Sequence, residues 1–377
     1  MRNYGRTSID EFLGERVVYR NLEAADPRLP RLRDLGKFTG LPPGRIPRKT
    51  EPAYARAGAL LLQEAQRLRG VLQPIRRLIF VGDTRLLDET AFANLCLAGG
   101  WSGLAFIGSE DSEPAAVEVQ PNEAGRWLYR SNRWAALADF ERHAQANDFP
   151  VDEATAVVLD IDKTAIGARG RNGQVIDRAR KQAVRDTLAE LLGDSFDLEA
   201  FGAAYELLNR PEFHPFSGDN QDYVAYLCLV LGSRLYSLEG LVNRIRVRSL
   251  VSFEHLLAEV EERRNELPVG LAEIHEQVSA SVKAGDPTPF KTFRRREYLT
   301  TLGYFDCLPE EADPLELLSG EIVITQEVRA AALKWQGSGA LSFGFSDKPD
   351  EAALPTPEQA AHGWQPLHRA VTHAVGD

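Results

Sequence analysis

The stretch VVLDIDKT, at residues 157–164, decides the fold of this chain. Its apolar first half predicts a buried β-strand at 156–159, which delivers two aspartates, Asp160 and Asp162, at its carboxyl end. Apolar runs without polar alternation are typical of strands in parallel sheets. Open α/β sheets bind their ligands in the crevice beyond the carboxyl ends of their strands. The stretch therefore predicts both a strand and a site.

The same alternation of strand and helix recurs on both sides of this stretch. Further apolar runs, bounded by glycine or by polar residues, predict strands at 78–81, 103–108, 321–325 and 340–345. Short connections between strand, helix and strand imply a parallel sheet. The fold class that we expect is α/β, with a Rossmann-like, doubly wound parallel sheet.

Three regions of different composition define the expected domains. Residues 1–50 are rich in Pro, Gly and Arg and suit an extended arm on a domain surface. The α/β pattern occupies residues 51–166 and 320–377, and the segment between them, 167–319, is mostly helical. We therefore expect one α/β core that carries a large helical insertion.

Composition excludes several classes of partner. The 377 residues carry a net charge of −11, which favours neither nucleic acid nor an anionic membrane as partner. The chain contains no apolar stretch near the roughly 20 residues of a membrane helix, and its N-terminal segment is charged, so we expect a cytoplasmic protein. The histidines His362, His368 and His373 fall in a predicted C-terminal helix without the spacing of a zinc site, and we expect them at the surface.

The aspartate pair has the residue types that phosphoryl transfer needs. One carboxylate, Asp160, can displace the leaving group of a phosphate ester, while Asp162 protonates the leaving oxygen and then activates water. Thr164 can add a hydroxyl group to the same site. Taken alone the pattern is weak, because acidic residues often end strands or cap helices.

A second strand, at 78–81, also ends in carboxylates. It is followed by Gly82, which permits close approach of the backbone, and then by Asp83 and Asp88. Mg²⁺ generally takes one or two carboxylates together with substrate phosphate and water. Asp160 and Asp83 are the expected Mg²⁺ ligands, with Asp88 and the backbone carbonyl of Asp162 beside them.

With these residues the chain resembles the haloacid dehalogenase-like superfamily of phosphatases. That family combines a DxDxT segment with a Thr or Ser that ends a second strand, a Lys near a third, and an acidic GDxxxD-like segment that ends a fourth. The first is matched at residues 160–164, the second by Thr325, the third by Lys348 and the fourth at residues 82–88. Here the acidic fourth segment precedes the others, so the order resembles a circular permutation, which a sheet tolerates because it depends on strand neighbours.

The lysine of the phosphate site has two candidates. Lys348 follows the strand that ends in Thr325, a helix and a further strand, in the order of the family, and is the preferred one. Lys49 competes, because it begins a Lys-x-x-Pro segment just before the helix that precedes the acidic strand. Either ammonium would neutralise Asp160 and the phosphoryl oxygens, with Thr325 donating a hydrogen bond to the same group.

The resemblance implies a Mg²⁺-dependent phosphohydrolase that acts on a small phosphorylated metabolite through an aspartyl-phosphate. The helical insertion occupies the position of the family's cap, and Arg169 and Arg171 could offer guanidinium groups to the substrate anion. Two alternatives stay open. One is a phosphomutase or phosphotransferase of the same superfamily, and the other is a non-catalytic protein that binds a phosphorylated metabolite on the same scaffold.

Overall fold

The computed structural model describes residues 1–42, 44–122 and 125–377. The chain divides into two compact units. An α/β unit comprises Met1–Arg178 and Thr301–Asp377, and a helical unit comprises Ala179–Thr300. The helical insertion that the sequence predicts is therefore present.

The described residues form strands and helices that alternate along much of the chain. The strands are β1 (Arg2–Thr7), β2 (Val17–Val18), β3 (Arg77–Gly82), β4 (Ser102–Gly108), β5 (Val117–Asn122), β6 (Arg126–Ser131), β7 (Thr155–Asp160), β8 (Ile324–Thr325), β9 (Leu341–Phe345) and β10 (Thr372–Gly376). The α-helices are α1 (Asp10–Leu13), α2 (Leu32–Thr39), α3 (Pro52–Leu68), α4 (Arg85–Gly99), α5 (Leu137–Ala146), α6 (Gly173–Leu192), α7 (Leu198–Leu208), α8 (His214–Ser217), α9 (Gln221–Gly232), α10 (Leu238–Arg246), α11 (Phe253–Glu262), α12 (Val269–Lys283), α13 (Lys291–Leu302), α14 (Pro314–Gly320), α15 (Gln326–Gly337) and α16 (Pro357–Ala361).

Over the described residues the main sheet has seven strands, in the order β2-β9-β7-β3-β4-β6-β5. Every neighbouring pair is parallel except β5 with β6, which are antiparallel. The six residues of β7 are all buried, which explains why its sequence shows no polar alternation. The predicted mostly parallel α/β sheet is therefore confirmed.

Helices cover both faces of this sheet. Phe80 and Val158 pack with α3 and α4 in one apolar cluster. The next side chain along β3, Ile79, points the other way and lines a cavity with Phe140 of α5 and Trp335 of α15. Because both faces are covered, a polar site can form only at an edge, where the strands end.

The register of the strands aligns their carboxyl ends. Val81 of β3 pairs with Leu159 of β7, and on the other side of β7 Asp160 pairs with Phe345 of β9. The residues that follow β3, β7 and β9 are consequently brought together at one edge of the sheet.

A second, three-stranded sheet corrects one sequence prediction. The segment predicted as the strand 321–325 forms only the short strand β8, which pairs with β10 in the sheet β1-β10-β8. Its backbone also pairs with the segment that follows β7. The amide of Thr325 donates to the Ala165 carbonyl at 2.9 Å, and the Gly167 amide donates to the Val323 carbonyl at 2.9 Å. Thr325 therefore does not end a strand of the main sheet.

The N-terminal segment is part of the α/β unit, and the prediction of a separate arm at 1–50 is wrong. β1 pairs antiparallel with β10, and β2 adds an edge strand to β9. Phe12, Leu13 and Val17 are fully buried. The pairing partners lie more than 300 residues away in sequence, so no local pattern in the first 50 residues signals them.

The boundaries of the helical unit also differ from the predicted range of 167–319, because both flanking segments belong to the α/β unit. The buried side chain of Asn172 shows the reason. Its amide group donates to the carbonyls of Leu318 at 2.7 Å and Glu321 at 2.9 Å, and its oxygen accepts from the amide of Val323 at 3.0 Å. One side chain thus joins the two flanks to each other.

The helical unit, Ala179–Thr300, has an apolar core of its own. Side chains such as Phe201 of α7 and Leu227 of α9 are buried in it. A buried ion pair joins α13 to α9, with Nη2 of Arg294 lying 2.6 Å from Oδ2 of Asp222. Among the helices that the structure describes in either unit, none has the length and apolar character needed to cross a membrane.

Candidate active site

Three carboxylates converge at the carboxyl edge of the main sheet. Asp160 ends β7, Asp83 follows the neighbouring strand β3, and Asp88 lies in the first turn of α4. They are 6%, 8% and 1% exposed. One carboxylate oxygen from each lies within 4.8 Å of those of the other two. The structure therefore brings together the three acidic residues that the sequence selects after two separate strands.

The loop after β3 is built around Asp88. Its Oδ2 accepts hydrogen bonds from the amides of Asp83 at 2.9 Å and Thr84 at 2.8 Å, and the Thr84 hydroxyl caps α4. A Cβ atom at Gly82 would lie 2.6 Å from Cγ of Asp88, so a larger residue there would displace this carboxylate. The GDT sequence thus fixes the direction of the Asp88 side chain.

Lys49 lies between two of the carboxylates. Its Nζ is 2.5 Å from Oδ1 of Asp160 and 2.6 Å from Oδ1 of Asp88, and only 4% of its side chain is exposed. Lys348, the partner of Asp160 that the sequence order favours, places its Nζ 3.4 Å from Oδ2 of Asp162. The preference for Lys348 over Lys49 is therefore wrong, although both lysines lie in the site.

The reason is the position of each lysine relative to the sheet. Lys49 immediately precedes α3, which packs on the main sheet through Phe345 of β9 and neighbouring residues. Lys348 follows β9 through a short turn, in which its amide donates to Oγ of Ser346 at 3.0 Å. The segment before α3 therefore places the Lys49 ammonium between Asp160 of β7 and Asp88 of α4. The segment after β9 places the Lys348 ammonium beside Asp162.

Burial and like charge act strongly on these groups. Burial raises the pKa of Asp160 well above its ordinary value, and the charges of Asp88 and Asp83 add to that effect against the opposing charge of Lys49. Burial also raises the pKa of Asp83 to about 7. For Asp88 the penalty of burial is outweighed by the charge and hydrogen bond of Lys49, which hold its pKa below the ordinary value. Lys49 thus compensates Asp88 and Asp160, whereas Asp83 pairs with Arg169.

Unpartnered polar atoms surround the same cluster. Among the described residues, Oδ1 of Asp162, Oγ1 of Thr164 and the hydroxyl of Tyr54 are buried without a hydrogen-bond partner. Asp162 and Thr164 follow Asp160 closely in the chain, and the charges of Lys49 and Asp160 both act on the Tyr54 hydroxyl. Buried polar groups in native proteins are rarely left without partners, and such groups need an explanation such as a bound ligand, ion or water.

Thr325 has a different place from the one that the sequence predicts. It is buried, and its Oγ1 donates to the carbonyl of Thr164 at 2.5 Å. The hydroxyl therefore supports the segment that follows Asp160. The residue that follows β9, the strand beside β7, is Ser346, which is fully buried. Ser346 occupies the position expected for Thr325, and the SDK sequence after an apolar strand was the available signal for it.

Arg169 and Arg171 bind different carboxylates in the structure. Arg169 forms an ion pair with Asp83, while its backbone carbonyl accepts from the Glu110 amide at 3.0 Å. Arg171 is enclosed between Glu110 at 2.5 Å and Glu327 at 2.9 Å, with 3% of its side chain exposed. The prediction that Arg171 offers a free guanidinium group to substrate is wrong, because two carboxylates already bind it.

The converging carboxylates, taken over the described residues, are those of Asp83, Asp88 and Asp160, so the Asp162 side chain stands outside this group. Comparison with known proteins found no matching family model, no matching curated protein and no matching solved structure. The fold and the site thus define an α/β protein with a mostly parallel sheet and an acidic, lysine-bridged cluster at its carboxyl edge.

Proposed function

We propose that this protein is a Mg²⁺-dependent phosphohydrolase of the haloacid dehalogenase-like type, acting on a small phosphate monoester. The observation that carries the proposal is the convergence of Asp83, Asp88 and Asp160 within 4.8 Å, with Lys49 buried between two of them. The strands that carry Asp83 and Asp160 are parallel neighbours, so their reversed order in the chain does not affect the site. This adjacency supports the permuted arrangement that the sequence suggests.

The residues present fit a hard divalent cation. The three converging groups offer carboxylate oxygens, which are the ligands that Mg²⁺ prefers. Lys49 pairs with Asp88 and Asp160 and Arg169 pairs with Asp83, while Oδ1 of Asp162 has no partner among the described residues. Asp83, Asp88 and Asp160 would hold the ion, which supplies charge neutralisation of the phosphoryl oxygens.

Asp160 is the proposed nucleophile. Lys49 binds its Oδ1, which orients the carboxylate and leaves Oδ2 to attack phosphorus. A new bond then forms between this oxygen and phosphorus while the bond to the ester oxygen breaks, giving an aspartyl-phosphate. Burial disfavours charge on Asp160, and the opposing charge of Lys49 favours the ionised carboxylate that the attack requires.

Asp162 is the proposed general acid and base. It lies two residues beyond the nucleophile and its Oδ1 has no partner among the described residues. It would give a proton to the leaving alkoxide and then take one from the water that hydrolyses the aspartyl-phosphate. Lys348, whose Nζ lies 3.4 Å from the other oxygen of Asp162, would hold this side chain in place.

Binding of the phosphoryl group is assigned to residues at the end of β9. The hydroxyl of Ser346 can donate to a phosphoryl oxygen because it already accepts from the Lys348 amide. Arg169 adds a partly exposed guanidinium group beside Asp83. We assign the helical unit as the cap that selects the substrate, because it is inserted in the chain between β7 and β8.

The test is release of inorganic phosphate from p-nitrophenyl phosphate with and without Mg²⁺. We expect release that depends on Mg²⁺ and falls by more than about a thousandfold in Asp160→Asn, because the amide cannot act as nucleophile. The matched control is Asp139→Asn, which alters a carboxylate on the surface of α5 that is 49% exposed.

Other outcomes would change the assignment. If wild type and Asp160→Asn were equally inert over a broad panel of phosphate esters, the catalytic proposal would be wrong. If phosphate appeared on an added alcohol in place of water, the protein would be a phosphotransferase that uses the same nucleophile.

A further inference from the structure

The helical unit contains a cavity that the proposed chemistry does not use. Its volume is 390 Å³, near the lower end of the ~300–1,000 Å³ range of small-molecule pockets. The walls are provided by α6, α7, α9 and the segments around them, all within residues 188–238. They are mostly apolar, with Leu188, Phe196 and Leu231 among the lining side chains. A ligand for this cavity must therefore have an apolar body.

Most polar groups in the wall are already satisfied by the protein. Oδ1 of Asp197 accepts from two backbone amides at the start of α7, at 3.0 and 2.9 Å. The hydroxyl of Tyr236 donates to Glu259 at 3.1 Å, and Oγ of Ser237 accepts from the Gly240 amide at 3.1 Å. These groups help to build the wall and leave little polar capacity for a ligand.

Arg234 is the exception. It is exposed and lines the cavity, and its guanidinium group has no ion pair or hydrogen bond with any residue that the structure describes. Its backbone is in the left-handed region, with φ 63°, just after the end of α9. Ala200 and Ala203, which are also exposed, line the same cavity. An apolar cavity whose lining includes an exposed cation without a partner among the described residues is complementary to a molecule with an apolar body and one anionic end.

The geometry points to a binding site in the helical unit for a small amphipathic anion, namely a carboxylate on a medium-length alkyl or arylalkyl body. The apolar body occupies the cavity and the carboxylate pairs with Arg234 at the mouth. The volume suits one such chain better than a two-chain lipid. The site lies wholly within Ala179–Thr300 and does not depend on the phosphohydrolase proposal.

Isothermal titration of the full chain with decanoate, 4-phenylbutyrate and decylamine tests this site. We expect both carboxylates to bind, with dissociation constants on the order of 100 μM and a negative heat-capacity change, and the amine to bind at least about tenfold more weakly. The carboxylate with the lower dissociation constant shows whether an alkyl or an arylalkyl body fits the cavity better. Asp160→Asn should bind both unchanged, which separates this site from the catalytic one.

Three variants locate the ligand. Arg234→Gln should weaken decanoate binding about five- to tenfold, while Arg248→Gln should not, because Arg248 is also exposed and left-handed at φ 58° but lies outside the cavity. Ala203→Phe, at an exposed lining position, should block binding without unfolding the unit. The proposal is overturned if no carboxylate gives saturable heat, if decylamine binds as tightly as decanoate, or if Arg234→Gln and Arg248→Gln are alike.

Discussion

Replacement of Lys49 by methionine tests the electrostatic design of the candidate active site. The side chains of Lys49, Asp88 and Asp160 are 4%, 2% and 8% exposed, so the ammonium and both of its partners are shielded from water. Removing one partner from a buried ion pair costs about 3–5 kcal/mol, because the remaining charge has neither water nor a counter-ion. The two pairs share a single ammonium, so the cost is not doubled. We expect Lys49→Met to destabilise the α/β unit by that amount at pH 8 without Mg²⁺.

The loss should shrink in acid. Burial raises the pKa of Asp160 well above its ordinary value even with Lys49 present, and removal of the ammonium raises it further. As the pH falls, this carboxyl takes up a proton in the folded variant, so less charge is left uncompensated. The difference between wild type and variant should therefore be smaller at pH 5 than at pH 8.

Urea unfolding followed by tryptophan fluorescence measures this loss of stability in the α/β unit. The chain's 5 tryptophans all lie in Met1–Arg178 or Thr301–Asp377, so their signal reports the α/β unit alone. The matched control is Lys163→Met, which removes an ion pair with the half-exposed Asp177 and should cost about 1 kcal/mol or less. If Lys49→Met were no more costly than Lys163→Met at pH 8, the ammonium would not be compensating buried charge.

Three other sets of contacts give predictions of their own. Without Mg²⁺, the stability of the α/β unit should fall as the pH rises from about 4 to about 7, because folded Asp83, whose pKa is about 7, keeps a proton that the unfolded chain has lost. In the same urea titrations, Asp83→Asn should reduce this slope by up to about 1.4 kcal/mol per pH unit. An unchanged slope would contradict the assignment of the raised pKa to Asp83. Ser346→Ala should lower kcat for an aryl phosphate about a hundredfold, whereas Thr325→Val should chiefly lower the urea midpoint. If Thr325→Val lowered kcat more than Ser346→Ala did, Thr325 would be the residue that binds the phosphoryl group. Arg171→Gln should cost about 3–5 kcal/mol of stability while leaving KM unchanged, and a raised KM at unchanged stability would place its guanidinium group on the substrate.

The sequence by itself determined the centre of the main sheet. β3, β4, β7 and β9 lie within a residue or two of their predicted bounds, because each is an apolar run that a covered parallel sheet requires. The same pattern placed Asp83, Asp88 and Asp160 at one edge, since parallel strands end together. These features depend on local composition and on a general property of parallel sheets.

Only the tertiary structure decided which partners these residues meet. His368 and His373 were expected at the surface and are fully buried. His373 lies in β10, which pairs with β1 from the other end of the chain, and His368 contacts Tyr19. Such pairings join segments hundreds of residues apart and leave no periodic signal in either one.

The residues of the candidate active site were also determined partly by the sequence and partly by the tertiary structure. The sequence named the acids and two candidate lysines, but whether Lys49 or Lys348 reaches Asp160, and whether Ser346 or Thr325 stands beside it, depends on the order of strands in the sheet. Lys49 contacts Asp160 because α3 begins at this edge, and Thr325 lies in β8, which joins the second sheet. A sequence specifies residue types at strand ends, whereas the distance between two side chains is fixed only when the strands have found their neighbours.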